Sequence, residues 1–343
     1  MNNFSLSDLG WSAHFRNQCG DADGVPVRVS SVARDRLEAL GEAGPLSLTL
    51  PGGQSTGDFA VGDWVLHDEA LRVLRRLEPH TRLQRKAAGR EARSQLIAAN
   101  VDTLGIVSSC NADVNIARLE RYVALAEASG CLPLVILTKA DEAEDSSGYR
   151  RQAERLSPLI TAVTLNARDP DDIERLAPWC SGGHTLALVG SSGVGKTTLS
   201  NGLTGRGDAT KGIREDDAKG RQTTTSRALH PTLAGGWLID TPGMRELQLA
   251  DAAEGIDAVF ADISELALAC KFSDCSHDNE PGCAVQAEIA AGRLEPDRLA
   301  RWEKLQREDA RNSETIAEAH ARDRQFGKMV RGVMAHKRRE RGN

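Results

Sequence analysis

The sequence predicts a multidomain chain: an N-terminal β-barrel of OB-like type, a central α/β domain on a parallel sheet, and a C-terminal helical region around a metal-binding loop. Three observations predict it. Short alternating runs between Val27 and Leu77 (VRVSSV, LSLTL, FAVGDWVL, LRVLRRL) are punctuated by Gly and Pro, the mark of a small all-β unit. After Asn100 near-continuous apolar runs alternate with helical ones, as in a parallel sheet covered on both faces. From about Asp251 the pattern is helical, interrupted by CKFSDCSHDNEPGC. The expected units are a mobile lead-in over 1–20, barrel plus basic linker over 21–95, the α/β domain over 96–250, and a zinc-binding helical domain with a basic tail over 251–343.

The bulk numbers set limits. A chain of 343 residues is long enough for two or three domains. No apolar run approaches the ~20 residues that span a bilayer, and MNNFSLSDLGWSAHFRNQ has neither the basic start nor the apolar block of a signal peptide. A cytoplasmic protein is expected. The net charge of −6 argues against indiscriminate coating of nucleic acid while leaving room for a local basic face. In that compartment seven cysteines read as thiols or metal ligands. Cys19, Cys110, Cys131 and Cys180 are scattered and read as small buried hydrophobes.

The barrel could bind an oligonucleotide or be a structural module without a ligand of its own. From Arg72 to Arg93 eight bases face two acids, Glu78 and Glu91; this is either a phosphate-contacting edge or a solvated linker. Beyond it TLGIVSS, LPLVILT, ITAVTLN and HTLALVG read as buried strands. In NIARLERYVALAEAS the apolar residues Ile116, Leu119, Val123 and Ala126 have helical spacing. ALHPTLAGGWLID reads as a hairpin, and the chain ends on the basic KMVRGVMAHKRRERGN.

The α/β domain carries a phosphate loop. GSSGVGKTT fits G-x-x-x-x-G-K-[ST] with Gly190, Gly195, Lys196 and Thr197. A strand precedes it and a helix follows. Backbone N–H groups of Ser191, Ser192, Gly193, Val194 and Thr198 can then gather around phosphates at a helix N-terminus. Lys196 would meet the β- and γ-phosphates, and the Thr197 hydroxyl would ligate Mg²⁺. WLIDTPG ends a strand on Asp240, a second Mg²⁺-side group, with Gly243 offering its N–H to the γ-phosphate. Between them GRQTTTS brings Thr223 and Thr224 as hydroxyls that sense phosphate-bound Mg²⁺. Met244, after the turn, cannot position water. Gln222 is the candidate for that role, beside Lys196.

VILTKAD, with Thr138, Lys139 and Asp141, reads as the loop that recognises guanine. An Asp carboxylate accepts two N–H bonds that adenine cannot offer, and the Lys139 stem packs along the base. Asn166 and Ala167, ending ITAVTLNA, supply the next base-side loop. In ordinary guanine-nucleotide proteins the phosphate loop comes first; here it comes about fifty residues after TKAD. The domain is a circularly permuted P-loop GTPase, which is tolerated where old termini lie close. Its switch segment runs directly into the C-terminal region.

That region holds Cys270, Cys275, His277 and Cys283 in a C-x₄-C-x-H-x₅-C pattern. Three thiolates and an imidazole can close a tetrahedron around Zn²⁺ with no open position, a structural site. Bare thiols there would be prone to oxidation.

TKAD, GSSGVGKTT, GRQTTT, DTPG and the Cys/His loop, in that order, resemble the ribosome small subunit-dependent GTPase A (RsgA/YjeQ) family. GDWV at 62–65 and RKAAG at 85–89 extend the match. The resemblance implies an OB barrel, a permuted GTPase domain and a zinc-helical domain. It also implies late maturation of the small ribosomal subunit, contact with its rRNA, and hydrolysis of GTP to GDP stimulated by that subunit, in a monomer. The sequence departs from the family at Gln222, where GRHTTT has a histidine assigned a catalytic role, and at Asn166, where Ser is usual. The first sixty residues match poorly. Two rivals stay open: a nucleotide-gated RNA-binding module with vestigial hydrolysis, and a small-molecule nucleotide kinase, against which TKAD argues.

Overall fold

The computed structural model describes residues 4–20, 24–86, 94–111, 114–158, 160–207, 227–240, 249 and 251–313. RKAAG beyond Lys86, GRQTTT, most of DTPG and the basic tail lie outside the described residues.

The N-terminal segment differs from the mobile lead-in that its composition suggests. It holds helix α1 (Ala13–Arg16) and buries Leu9 and Phe15 completely. Trp11 meets Trp64 edge-on at 4.8 Å between ring centroids, and the Trp237 indole donates to Asp8 O at 2.7 Å. Aromatic burial outweighs the ordering entropy of this stretch.

Five strands follow: β1 (Val25–Val32), β2 (Leu37–Gly41), β3 (Gly44–Leu48), β4 (Trp64–His67) and β5 (Val73–Arg76). β1 pairs antiparallel with β2 through one half and with β4 through the other; β2 pairs with β3 and β4 with β5. Alternation turns Val27, Val29, Leu37, Ala39, Leu48 and Val65 into a common core with Phe59 and Val73. The expected barrel is not closed by a ladder. One parallel bridge, Thr49 to Arg72, joins the end of β3 to β5. Pro51, with no N–H, and two glycines after it end the β3 edge there.

β6 (Arg82–Lys86) and β7 (Ser94–Ala99) form a separate antiparallel pair, so the expected basic linker is in part a hairpin. The sheet resumes with β8 (Thr103–Ser109), helix α2 (Ile116–Ala128), β9 (Leu132–Thr138), α3 (Ser146–Glu154), β10 (Thr161–Thr164) and α4 (Pro170–Glu174). Then come β11 (Thr185–Gly190), α5 (Lys196–Thr204), β12 (Ala228–Pro231) and β13 (Trp237–Asp240). The order β10-β9-β8-β11-β13 is parallel throughout, and β12 pairs antiparallel with β13. Residues of β8, β9 and β11 are almost all buried, since helices cover both faces. Ser31 of β1 pairs with Ala228 of β12, which makes one eleven-stranded sheet of both halves.

Arg28, 1% exposed, stitches them together. Its guanidinium donates to Leu9 O at 2.8 Å, Asn100 O at 3.1 Å and Thr185 Oγ1 at 2.7 Å. Burial lowers its pKa to about 10, which still leaves it charged at neutral pH. Gly62, at φ +92°, is required beside it: a Cβ would sit 2.1 Å from Ala99 O.

The C-terminal region adds α6 (Ala253–Val259), α7 (Ala261–Leu268), α8 (Ala284–Ala290) and α9 (Pro296–Ser313). Gly255 lets α6 approach α2 closely, since a Cβ there would lie 2.2 Å from Ala124 O. Leu299, Trp302 and Leu305 turn one face of α9 inward. They join a cluster that also holds Trp64, Leu104, Tyr122 and Phe260, so one core runs through all three regions. Among the described residues no helix is long and apolar enough to cross a membrane.

Candidate functional site

β11 delivers the phosphate loop to the carboxyl edge of the parallel sheet, where ligands of such sheets bind. Gly190, Gly193 and Gly195 all have positive φ, and Gly195 caps α5. At Gly190 (φ +142°) a Cβ would stand 2.1 Å from Val107 O, so the loop can leave the strand only through glycine. Ser192 and Gly193 face solvent, Val194 is buried below, and Thr197 is exposed in the first turn of α5, with Thr198 half-buried. The Lys196 ammonium donates to Gly190 O at 2.9 Å and to Ser191 O. It is folded over the loop whose phosphates it would serve.

TKAD arrives beside this loop from β9, two strands away. The buried Thr138 hydroxyl lies 2.6 Å from Val194 O and 3.1 Å from Ser108 O. Its side chain ties the two loops together. Lys139 turns the chain at φ +57°, and Asp141 after it is exposed. Ala140 N donates to Leu165 O at 3.2 Å, joining TKAD to the loop after β10. There Asn166 N donates to Asp172 Oδ2 at 2.7 Å, and Asn166 Oδ1 accepts from Arg168 N at 3.0 Å. Ala167 is buried at 7% exposure. TKAD, Asn166-Ala167 and the phosphate loop thus share one rim, in an order along the chain opposite to the usual one.

Asp240 ends β13, the strand beside β11. Gln222, Thr223, Thr224 and Gly243 lie outside the described residues.

The second site is the Cys/His loop. The ligand atoms of Cys270, Cys275, His277 and Cys283 all lie within 4.8 Å of one another, close enough to hold one metal ion. Cys270 Sγ is 3.6 Å from His277 Nδ1 and 3.9 Å from Cys283 Sγ; Cys283 Sγ is also 3.6 Å from His277 Nδ1. His277 sits at φ +60° with its carbonyl held by Gln286 Nε2 at 2.6 Å. Its ring lies 5.6 Å from that of Trp302, which seats the loop on α9. The scattered Cys110, Cys131 and Cys180 are buried hydrophobes, as expected: burial pushes their thiols up to about 11, 12 and 11.

Sequence spacing did not reveal Asp172, which orders the Asn166 loop, or Arg118, whose Nη1 donates to Ser191 Oγ at 2.5 Å. Seventy-three positions separate Arg118 from Ser191, and neither Arg118 nor Asp172 belongs to a motif. Arg118 lines a cleft of about 450 Å³ between α2, α9 and the start of the phosphate loop.

These loops match those of known proteins. A family model described as RsgA GTPase matches residues 76–250, from β5 through the phosphate loop and β13. A protein of Mesorhizobium japonicum named small ribosomal subunit biogenesis GTPase RsgA is 54% identical, over 90% of this chain and 91% of its own. The chain belongs to the RsgA GTPase family. Membership makes it a GTP-hydrolysing enzyme. Another RsgA relative, small ribosomal subunit biogenesis GTPase RsgA 2 of Vibrio parahaemolyticus, is 46% identical over 97% of this chain and 94% of its own. The crystal structure of YjeQ from Thermotoga maritima matches with a TM-score of 0.61 at 24% identity, covering 82% of this chain and 96% of that one. YloQ, described as a circularly permuted GTPase, matches at 0.58 and 21%, covering 86% and 99%. These likenesses speak to fold, and the fold is the permuted one.

Proposed function

We propose that this RsgA-family chain hydrolyses GTP as a late maturation factor of the small ribosomal subunit, and that the subunit stimulates turnover. The relatives' names support the subunit, and the shared rim of TKAD, Asn166-Ala167 and GSSGVGKTT supports the nucleotide. The single observation that carries the reading is the Thr138 link to Val194, which holds a guanine-reading loop against a phosphate loop. In this reading Asp141 accepts the guanine N–H pair, Lys139 packs on the base, and Asn166-Ala167 closes its far side. Gly190 to Thr198 wrap the phosphates, with Lys196 on the β- and γ-positions. Thr197 and Asp240 would hold Mg²⁺, and the exposed Thr197 hydroxyl beside the loop fits that role. The ion, when bound, neutralises charge building on the phosphoryl oxygens. Thr223, Thr224 and Gly243 would contact the γ-phosphate side.

Gln222 is the proposed water-orienting group. An amide does not titrate, so turnover would show no inflection near ~6.5, the ordinary histidine pKa. Gln222→Ala is expected to slow subunit-stimulated turnover ~10²-fold at nearly unchanged GTP affinity. A parental rate in that variant would rule Gln222 out.

Zinc is the metal proposed for the Cys/His loop. A tetrahedral zinc with ordinary Zn–S and Zn–N bonds has S···S edges of about 3.8 Å and S···N edges of about 3.6 Å, close to the separations among Cys270, His277 and Cys283. The first module is proposed to be an OB-like barrel that contacts rRNA, because the strand path β1-β2-β3-β5-β4-β1 becomes a ring through the Thr49–Arg72 bridge. Lead-in, barrel with basic segment, permuted domain and zinc-helical region, divided near 20, 95 and 250, are the proposed units of a cytoplasmic monomer.

The base reader gives the test. Asp141→Asn should move preference from GTP towards xanthosine triphosphate, because the new amide donates where guanine also donates and xanthine accepts. Strong retained preference for GTP would sink the assignment of TKAD.

A further inference from the structure

Two cations converge on one residue of the phosphate loop. Lys196 Nζ sits on the Ser191 carbonyl and Arg118 Nη1 on the Ser191 hydroxyl, at 2.5 Å for the latter. They come from different helices: Lys196 from α5, Arg118 from the first turn of α2. On the reading above, Lys196 must leave the loop carbonyls when it takes up the nucleotide phosphates. Arg118, on the Ser191 side chain, then remains as the cation holding that residue.

Helix α2 is itself gripped further along. Glu120, fully buried, accepts from Arg301 Nε at 2.7 Å and Arg298 Nη1 at 3.3 Å. The next residue, Arg121, pairs with Glu308 at 2.8 Å. Arg298, Arg301 and Glu308 all belong to α9, the helix that carries Trp302 against the Cys/His loop. A buried carboxylate held by two guanidiniums fixes geometry firmly, because loosening it leaves a charge uncompensated. Ser191 is thus linked by a side-chain contact to Arg118 on α2, and the same helix is linked to α9 through Glu120 and Arg121.

We propose that Arg118 is a positioning residue for GTP hydrolysis. It fixes Ser191 in the nucleotide-bound loop, and through α2 it makes turnover depend on how α9 is seated. The proposal rests on the GTPase reading and adds the residue that couples the C-terminal region to the phosphates. Arg118 touches Ser191, not the reacting atoms, so its effect belongs to loop geometry and falls mainly on kcat. GTP affinity, shared among the base loop and many loop N–H groups, should change little. A misplaced cradle is costly to the chemical step.

The test is a set of variants in the full-length, metal-loaded protein: Arg118→Met, Arg118→Lys, Ser191→Ala, Glu308→Gln and the pairwise combinations with Arg118→Met. GTP turnover with small ribosomal subunits is measured, together with melting temperature and metal content. Arg118→Met and Ser191→Ala are each expected to lower kcat about tenfold with KM changed less than about threefold and melting unchanged. The double variant should be no slower than either single, because both remove one contact. Arg118→Lys, which keeps a donor, should restore most of the rate. Glu308→Gln should slow the parent but leave Arg118→Met unaffected. Parental kcat in Arg118→Met, or losses that multiply in the double variants, would overturn the proposal. Lys196→Ala separates the two levels: if it turns over GTP like the parent, the phosphate-loop reading falls and this inference falls with it.

Discussion

Asp63, in the GDWV turn, is fully buried with one oxygen accepting from Ala60 N at 2.7 Å and no hydrogen-bond partner on Oδ1. Arg76 stands off at 3.8 Å, too far to hold it strongly. Burial pushes its carboxyl from an ordinary 3.8 up to about 6, against the lowering effect of Ala60 N and Arg76. The folded state therefore holds this proton more tightly than the unfolded one. Between about pH 4 and pH 6 the contribution of this group to stability falls as pH rises, and above pH 6 the loss is complete. Asp63→Asn, which keeps an acceptor for Ala60 N, should flatten that part of the profile. Denaturant midpoints at pH 4.5 and pH 7 check it: the gap attributable to Asp63 should shrink in the variant. An unchanged gap would mean that other groups set the slope.

At the scale of elements, the Cys/His loop and the nucleotide rim draw on different parts of the chain. The four ligands lie between α7 and α8, and the loop rests on Trp302. Removing the metal with a chelator should lower protection and melting of α7 to α9, since ligand binding and local folding are one free energy. Nucleotide affinity should stay within a few-fold of the parent, because TKAD and GSSGVGKTT are held by Thr138, Leu165 and the sheet. Metal analysis of protein purified without chelator checks occupancy. Amide exchange with and without chelator checks the locality.

The same elements show what was legible in the sequence. β8, β9 and β11 read as strands because burial on both faces leaves continuous apolar runs, and α2 because its buried positions repeat at helical spacing. LEALG went unread as β2, since Glu38 and two glycines nearby mask an alternation that burial makes plain in Leu37 and Ala39. The N-terminal segment departs from its expected mobility for a related reason: a few aromatics carry its packing, and their partners Trp64 and Trp237 lie far along the chain. Motif loops were legible as spacing because backbone geometry demands glycines at fixed offsets. The contacts that arrange them, Thr138 to Val194, Asp172 to Asn166 and Arg118 to Ser191, join distant segments and leave no period to read.

On the scale of the whole molecule, the permuted order has a mechanical result. The chain leaving β13 enters α6, which lies on α2, and α9 grips α2 through Glu120 and Arg121. One hydrophobic cluster extends from Leu9 to Leu305, so the three regions recognised in the sequence are packed as one. A large partner that contacts the C-terminal region thus has a physical route to the phosphate loop through α9 and α2, which the proposed stimulation by the subunit needs. The most direct measurement is GTP turnover by the purified full-length protein with purified small ribosomal subunits, with large subunits, and alone. The expected rate rises steeply with small subunits only and disappears in Lys196→Ala. Equal turnover in all three conditions would contradict it.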